Sequence, residues 1–185
     1  MKIYVRWGHI RTASGQQTGA PGVSGLNERD FIEACAPHVA NALYRNGKHQ
    51  VMTGNPAVGR FPNDDASLSG MMNEAKAWGA DLFVSIHANS FESTSTGSEV
   101  IYNTKTALSL KIAQAISRDT ASLLGIPNRG AKINNNLYEV REAGTMHSVI
   151  VEPFFISNPN DVAKYKSVGP EKLASYIAGA ILNNI

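Results

Sequence analysis

Four residues far apart in the chain carry the groups best able to bind a metal or move a proton: His9, Glu28, His87 and Glu152. Three of them close an apolar, strand-like run. KIYVRWG leads into His9, DLFVSI into His87, and SVIV into Glu152. In open α/β sheets ligands bind beyond the carboxyl ends of the strands, so three such endings on separate strands converge where a site is expected. Glu28 opens the first helical segment, and the intervening loop keeps it near the end of the first strand. Two histidines and a carboxylate with an open fourth position are a ligand set of catalytic zinc sites. His9, Glu28 and His87 are therefore candidate ligands for one Zn2+ ion. A further carboxylate can take a proton from water and return it to a leaving amine, and Glu152 is the candidate for that general base and acid.

Each residue also has a plainer reading. An acidic residue in the first turn of a helix is favoured by the helix dipole whatever else it does, which accounts for Glu28 alone. His87 could cap a strand through a backbone hydrogen bond. Glu152 is harder to explain structurally, because VIVEPFF sets a carboxylate within an apolar run. An unpaired buried carboxylate costs several kcal/mol, so it needs a partner or a cation, and buried titratable groups cluster at active sites. His38 and His49 read as surface or capping residues, and His147 has no clear role. Glu99 reads as a strand residue facing polar neighbours; Glu139 and Glu142 could line a groove, with solvated charge the preferred reading.

Along the chain, strands and helices alternate. Strands are predicted at Lys2 to Trp7, His49 to Thr53, Asp81 to His87, Ser98 to Tyr102, Leu137 to Val140 and Ser148 to Val151. From Asn27 to Asn46 the period is helical, with Phe31, Cys35, Val39 and Leu43 recurring every four residues. Asn27 is the expected N-cap, Gly47 the stop, and Pro37 is expected to kink or split the helix. Further helices are predicted at Asp65 to Trp78, Ala107 to Leu124 and within Asp161 to Leu182, with IPNRGAKINNN irregular. The pattern implies an α/β fold: a twisted, mostly parallel or mixed sheet flanked by helices on both faces.

The 185 residues, 43% hydrophobic and 17% charged, suit one globular domain, residues 1–185. A net charge of +2 without a basic run argues against nucleic acid as a partner. No apolar run is long enough to span a bilayer, so no membrane is expected. Cys35 is the single cysteine, which excludes an internal disulfide and a thiolate cluster. MKIYVRWGHI is not a signal-peptide pattern, because Arg6 and His9 interrupt it. The expectation is synthesis in the cytoplasm, with any work elsewhere following release by lysis.

In this order and spacing, several motifs carry a resemblance: Gly8-His9, the G-x-x-E of Gly25 to Glu28, and ADLFVSIHAN from Ala80 to Asn89. Then follow G-S-E-V-x-Y from Gly97 to Tyr102, Asn128-Arg129-Gly130, and VEPFFISN from Val151 to Asn158. The sequence resembles the zinc-dependent N-acetylmuramoyl-L-alanine amidases of the type-3 amidase family, in the form found in bacteriophage endolysins. The resemblance runs from Lys2 to the final helix. It departs from the family where His147 stands in place of a common proline, as a local substitution or an extra polar group beside the site, and where the loop from Ile10 to Ser24 lacks the frequent diglycine. It implies that His9, Glu28 and His87 hold the zinc and that Glu152 is the catalytic glutamate. The implied fold has about six strands. The implied partner is bacterial peptidoglycan, cut at the amide between N-acetylmuramic acid and L-alanine. A wall-binding domain, where one is used, would be separate from this chain. A zinc carboxypeptidase or endopeptidase acting on the same stem peptide is the second reading, and a catalytically inactive wall-binding module the third.

Overall fold

Alternate residues of the inner strands go to opposite faces of a sheet, and here the two faces have different compositions. In the computed structural model, which describes residues 1–104 and 107–185, the elements run β1 (Lys2–Trp7), α1 (Glu28–Arg45), β2 (Gln50–Gly54), α2 (Asp64–Trp78), β3 (Leu82–Ile86), β4 (Ser98–Tyr102), α3 (Ala107–Leu124), β5 (Asn128–Lys132), α4 (Tyr138–Arg141), β6 (His147–Glu152), α5 (Pro159–Val168) and α6 (Pro170–Leu182). Among the described residues the strands form one six-stranded sheet in the order β2-β1-β3-β6-β4-β5. β2, β1, β3 and β6 are parallel; β4 runs antiparallel to β6, and β5 parallel to β4. The sheet is mixed and flanked on both faces, as the alternation implied.

One face buries Ile3, Val5, Leu82, Val84, Ile86, Val149 and Val151 against the apolar stripes of α1, α3 and α6. The other face carries the alternate residues. Tyr4 and Phe83 pack under Met71 and Met72 of α2, and Ile101 and Ile150 pack on Val140 of α4. Because α4 is a single turn, this second layer is thin near the carboxyl ends of β1, β3 and β6, and the site opens there.

Four local expectations are corrected. Pro37 does not split α1, which runs continuously with Asn27 capping the Asp30 amide; burial of Phe31, Cys35, Val39 and Leu43 outweighs one missing backbone bond. Leu137 to Val140 is not a strand, since Tyr138–Arg141 forms α4. Asn128–Lys132, inside the stretch read as irregular, pairs with β4 as β5, with Gly130 at φ 79° near a register shift. The last helical stretch is two helices, divided where Gly169 takes φ 82° and Pro170 opens α6.

Candidate active site

The turn after β1 sets His9 in a conformation that non-glycine residues rarely take, φ 57°. Two contacts hold it there: the Gly8 amide donates to the Ile86 carbonyl, and the buried Arg29 guanidinium donates to the carbonyls of Gly8 and His9. Gly8 is required by space, because a Cβ there would lie 2.5 Å from His87 Cε1 and 2.7 Å from the Ile86 oxygen. Glu28, the first residue of α1, is tied to the loop by Ala20, whose amide donates to Oε2, and to β3's end by Ala88, whose amide donates to Oε1.

These supports bring three residues together. His9 Nε2 lies 3.0 Å from Glu28 Oε2, and His87 Nδ1 lies 3.1 Å from Glu28 Oε1. Nitrogen and oxygen ligands about 2.0–2.1 Å from a tetrahedral zinc stand roughly 3.3 Å apart, so both separations fit a shared ion. One ligand atom from each residue can be chosen so that all lie within 4.8 Å of one another. The imidazoles meet edge to face, with centroids 4.9 Å apart. Burial raises the Glu28 carboxyl, but hydrogen bonds from His87 and His9 outweigh it and hold the group well below the usual carboxylate range. An ionised carboxylate beside two imidazoles is a donor set that can hold a divalent cation once the imidazoles give up the protons that their carboxylate partners favour.

Glu152 ends β6 in the same cleft, which has a volume of about 340 Å³. Its Oε2 is buried and accepts no hydrogen bond. Burial pushes the carboxyl up to about 8, with His87 pulling down and Glu28 and Glu99 pushing up. Glu99 stands opposite Glu152 in the β4–β6 register and accepts hydrogen bonds from Asn89 and Arg129.

A model of the family described as N-acetylmuramoyl-L-alanine amidase matches residues 3–183. The chain belongs to the N-acetylmuramoyl-L-alanine amidase family. LytC of Bacillus subtilis (strain 168), an N-acetylmuramoyl-L-alanine amidase, is 35% identical over 179 residues, which are 95% of this chain and 34% of LytC. The catalytic domain of the CD27L endolysin, which targets Clostridia Difficile, has a similar fold: TM-score 0.85 at 30% identity, covering 100% of this chain and 99% of that one. The catalytic domain of the amidase CwlV from Bacillus (Paenibacillus) polymyxa var. colistinus gives TM-score 0.80 at 28% identity, covering 100% and 99%.

Within this amidase fold, the remaining charged residues divide. His147 starts β6, at the opposite end of the strand from Glu152, so it is not a polar group beside the site. Glu142 bonds to exposed Arg141 at the surface, as a solvated charge should. Glu139 does not fit that reading. It is 6% exposed and lines the cleft, bonded to Arg6 and Ser85 and facing His87. The alternation Leu-Tyr-Glu-Val-Arg-Glu matches a strand with outward charges, but one helical turn rotates Glu139 inward. Asp64, the first residue of α2, also lines the cleft and meets His9 Nδ1 at 3.0 Å. Strand parity offered a signal for Arg6 and Ser85: Tyr4 and Arg6 share a face, as do Phe83 and Ser85, and Arg6 pairs with Ser85 in register.

Proposed function

We propose that this protein is a peptidoglycan hydrolase that cleaves the amide joining N-acetylmuramic acid to L-alanine of the stem peptide. His9, Glu28 and His87 would hold one zinc ion, and Glu152 would act as general base and then general acid. Bound there, zinc supplies Lewis-acid polarisation of the scissile carbonyl and stabilises the charge that develops on its oxygen. The observation that carries the reading is Glu152: a carboxylate oxygen buried without a partner, in the cleft lined by the three candidate ligands. Burial raises the Glu152 carboxyl to about 8; in its ionised form it can accept a proton from the attacking water, and the acid so formed can return that proton to the departing amine nitrogen. Leu68, Ala88, Leu137 and Ile150 contribute apolar lining to the same cleft. Residues 1–185 would then be one catalytic unit. Among the described residues no helix is long and apolar enough to cross a membrane.

The deciding measurement is mass spectrometry of fragments released from purified peptidoglycan, with and without a zinc chelator. Stem peptides with a free N-terminal L-alanine, lost under chelation, are expected. Cuts inside the stem would reassign the protein as a zinc peptidase. Wall-bound protein that releases nothing would make it a binding module.

A further inference from the structure

Both histidines of the centre have a second carboxylate behind them, hydrogen-bonded to His9 and in looser ion-pair contact with His87. His9 turns Nε2 toward Glu28 and Nδ1 toward Asp64 Oδ2, 3.0 Å away. His87 is mounted the other way round, with Nδ1 toward Glu28 and Nε2 3.5 Å from Glu139 Oε1. An imidazole that gives one nitrogen to a metal carries its proton on the other, and the partner of that N–H fixes the tautomer and ring orientation.

For His9 the acceptor is anchored. Asp64 is fixed at the start of α2, and its other oxygen accepts from the Thr18 hydroxyl at 2.7 Å. For His87 there is a contest. Arg6 Nη1 lies 3.1 Å from the same Nε2, nearer than Glu139. A guanidinium is always charged and can only donate, so Arg6 by itself favours a bare Nε2. That would place the proton on Nδ1, the nitrogen facing Glu28. Glu139 opposes this with one oxygen, 3.3 Å from Arg6 Nη1 and 3.4 Å from Ser85 Oγ. It balances the buried cation and gives the Nε2 proton an acceptor. The Ser148 hydroxyl, donating to the Glu139 carbonyl at 2.9 Å, fixes the backbone behind it.

We infer that Asp64 and Glu139 are positioning residues that set opposite tautomers on the two histidines, so that His9 presents Nε2 and His87 presents Nδ1 to the ion shared with Glu28. The inference rests on the proposed ligand set. Neither residue needs to touch substrate. Removing either partner of a metal-bound histidine lowers metal affinity about ten- to a hundredfold.

The test uses the full chain loaded with zinc and labelled with nitrogen isotope at histidine. Long-range nitrogen–proton correlation spectra should show a protonated Nδ1 on His9 and a protonated Nε2 on His87; a metal-bound Nε2 on His87 overturns the inference. Zinc affinity, measured by chelator competition, should fall about ten- to a hundredfold in Asp64→Ala and in Glu139→Gln. Asp64→Asn, whose amide oxygen still accepts, should recover most of the loss. Glu139→Gln strands the Arg6 charge and could act through folding alone, so Arg6→Met is combined with it; removing the competing donor should restore most of the affinity. Parent-like affinity in both Asp64→Ala and Glu139→Gln overturns the inference while leaving the ligand set intact. A His9→Ala protein that binds zinc as well as the parent overturns the ligand set itself.

Discussion

The two faces of the sheet solve different problems. The face under α1, α3 and α6 is apolar from Ile3 and Leu82 to Val151, with the buried Ser98 hydrogen-bonded to Thr120 of α3 on the same side, and α6 packs broadly on both α1 and α3. The face under α2 and α4 begins in the same way, with Tyr4, Phe83 and the methionines of α2. Toward the strand ends it turns polar, with Arg6, Ser85 and Glu139 buried together beside His87. Burying charge costs free energy unless it is paired and hydrogen-bonded, so the second face gives up stability for a precisely held cleft. The first face is where that stability is recovered. Substitutions on the two faces should therefore separate stability from chemistry.

The largest separation is expected at Glu152. Glu152→Gln keeps the shape and removes the proton acceptor, so turnover of peptidoglycan should fall about 10²- to 10⁴-fold, with zinc affinity and wall binding retained. Turnover equal to the parent's would remove Glu152 from the reaction. The opposite case is Leu43→Ala, at the far end of α1 and fully buried on the apolar face. It should lower unfolding free energy by about 2–5 kcal/mol, read by urea denaturation, while the folded fraction keeps the parent's zinc affinity and turnover. A tenfold loss of zinc affinity there would mean that the faces are coupled.

Glu152 also makes the division pH-dependent. Its carboxyl rises from an ordinary 4.5 to about 8 on folding, chiefly through burial. Below 4.5 the group is protonated in both states and costs nothing. Between 4.5 and 8 the unfolded chain releases the proton and the folded one keeps it, so the stability of the zinc-free protein falls as pH rises through that window. Thermal melts of the zinc-free parent should show this decline, and Glu152→Gln should lack its Glu152-dependent part. Matching slopes in the two proteins would show that Glu152 is not held in a desolvated position.

The four candidate residues that share the cleft could be picked out as candidates in the sequence because each stands at a position where topology favours chemistry: a strand's carboxyl end or a helix's first turn. The supporting residues could not be found in this way. Asp64 is 55 residues from His9, and nothing local distinguishes it from any acidic helix start. Glu139 was obscured by a period-two pattern that α4 does not obey, and Arg6 by lying in an alternating strand, where a charged residue is expected on the solvent side. The split between α5 and α6 was readable, since Gly169-Pro170 is a stop followed by a start. The continuity of α1 through Pro37 was not, because it depends on how much apolar surface α6 covers.

The smallest expected effect lies where the faces meet. Asn27 caps α1, accepting from the Asp30 amide at 2.9 Å, and the next residue is Glu28. Asn27→Ala should cost about 0.5–2 kcal/mol of stability through the lost cap. Glu28 is also held from outside the helix, by the amides of Ala20 and Ala88, so fraying the first turn should move zinc affinity less than stability. Parallel chelator competition and urea denaturation of this variant measure both. An affinity loss larger than the stability loss, expressed in the same units, would mean that the carboxylate is placed by its helix rather than by the loop and the strand end around it.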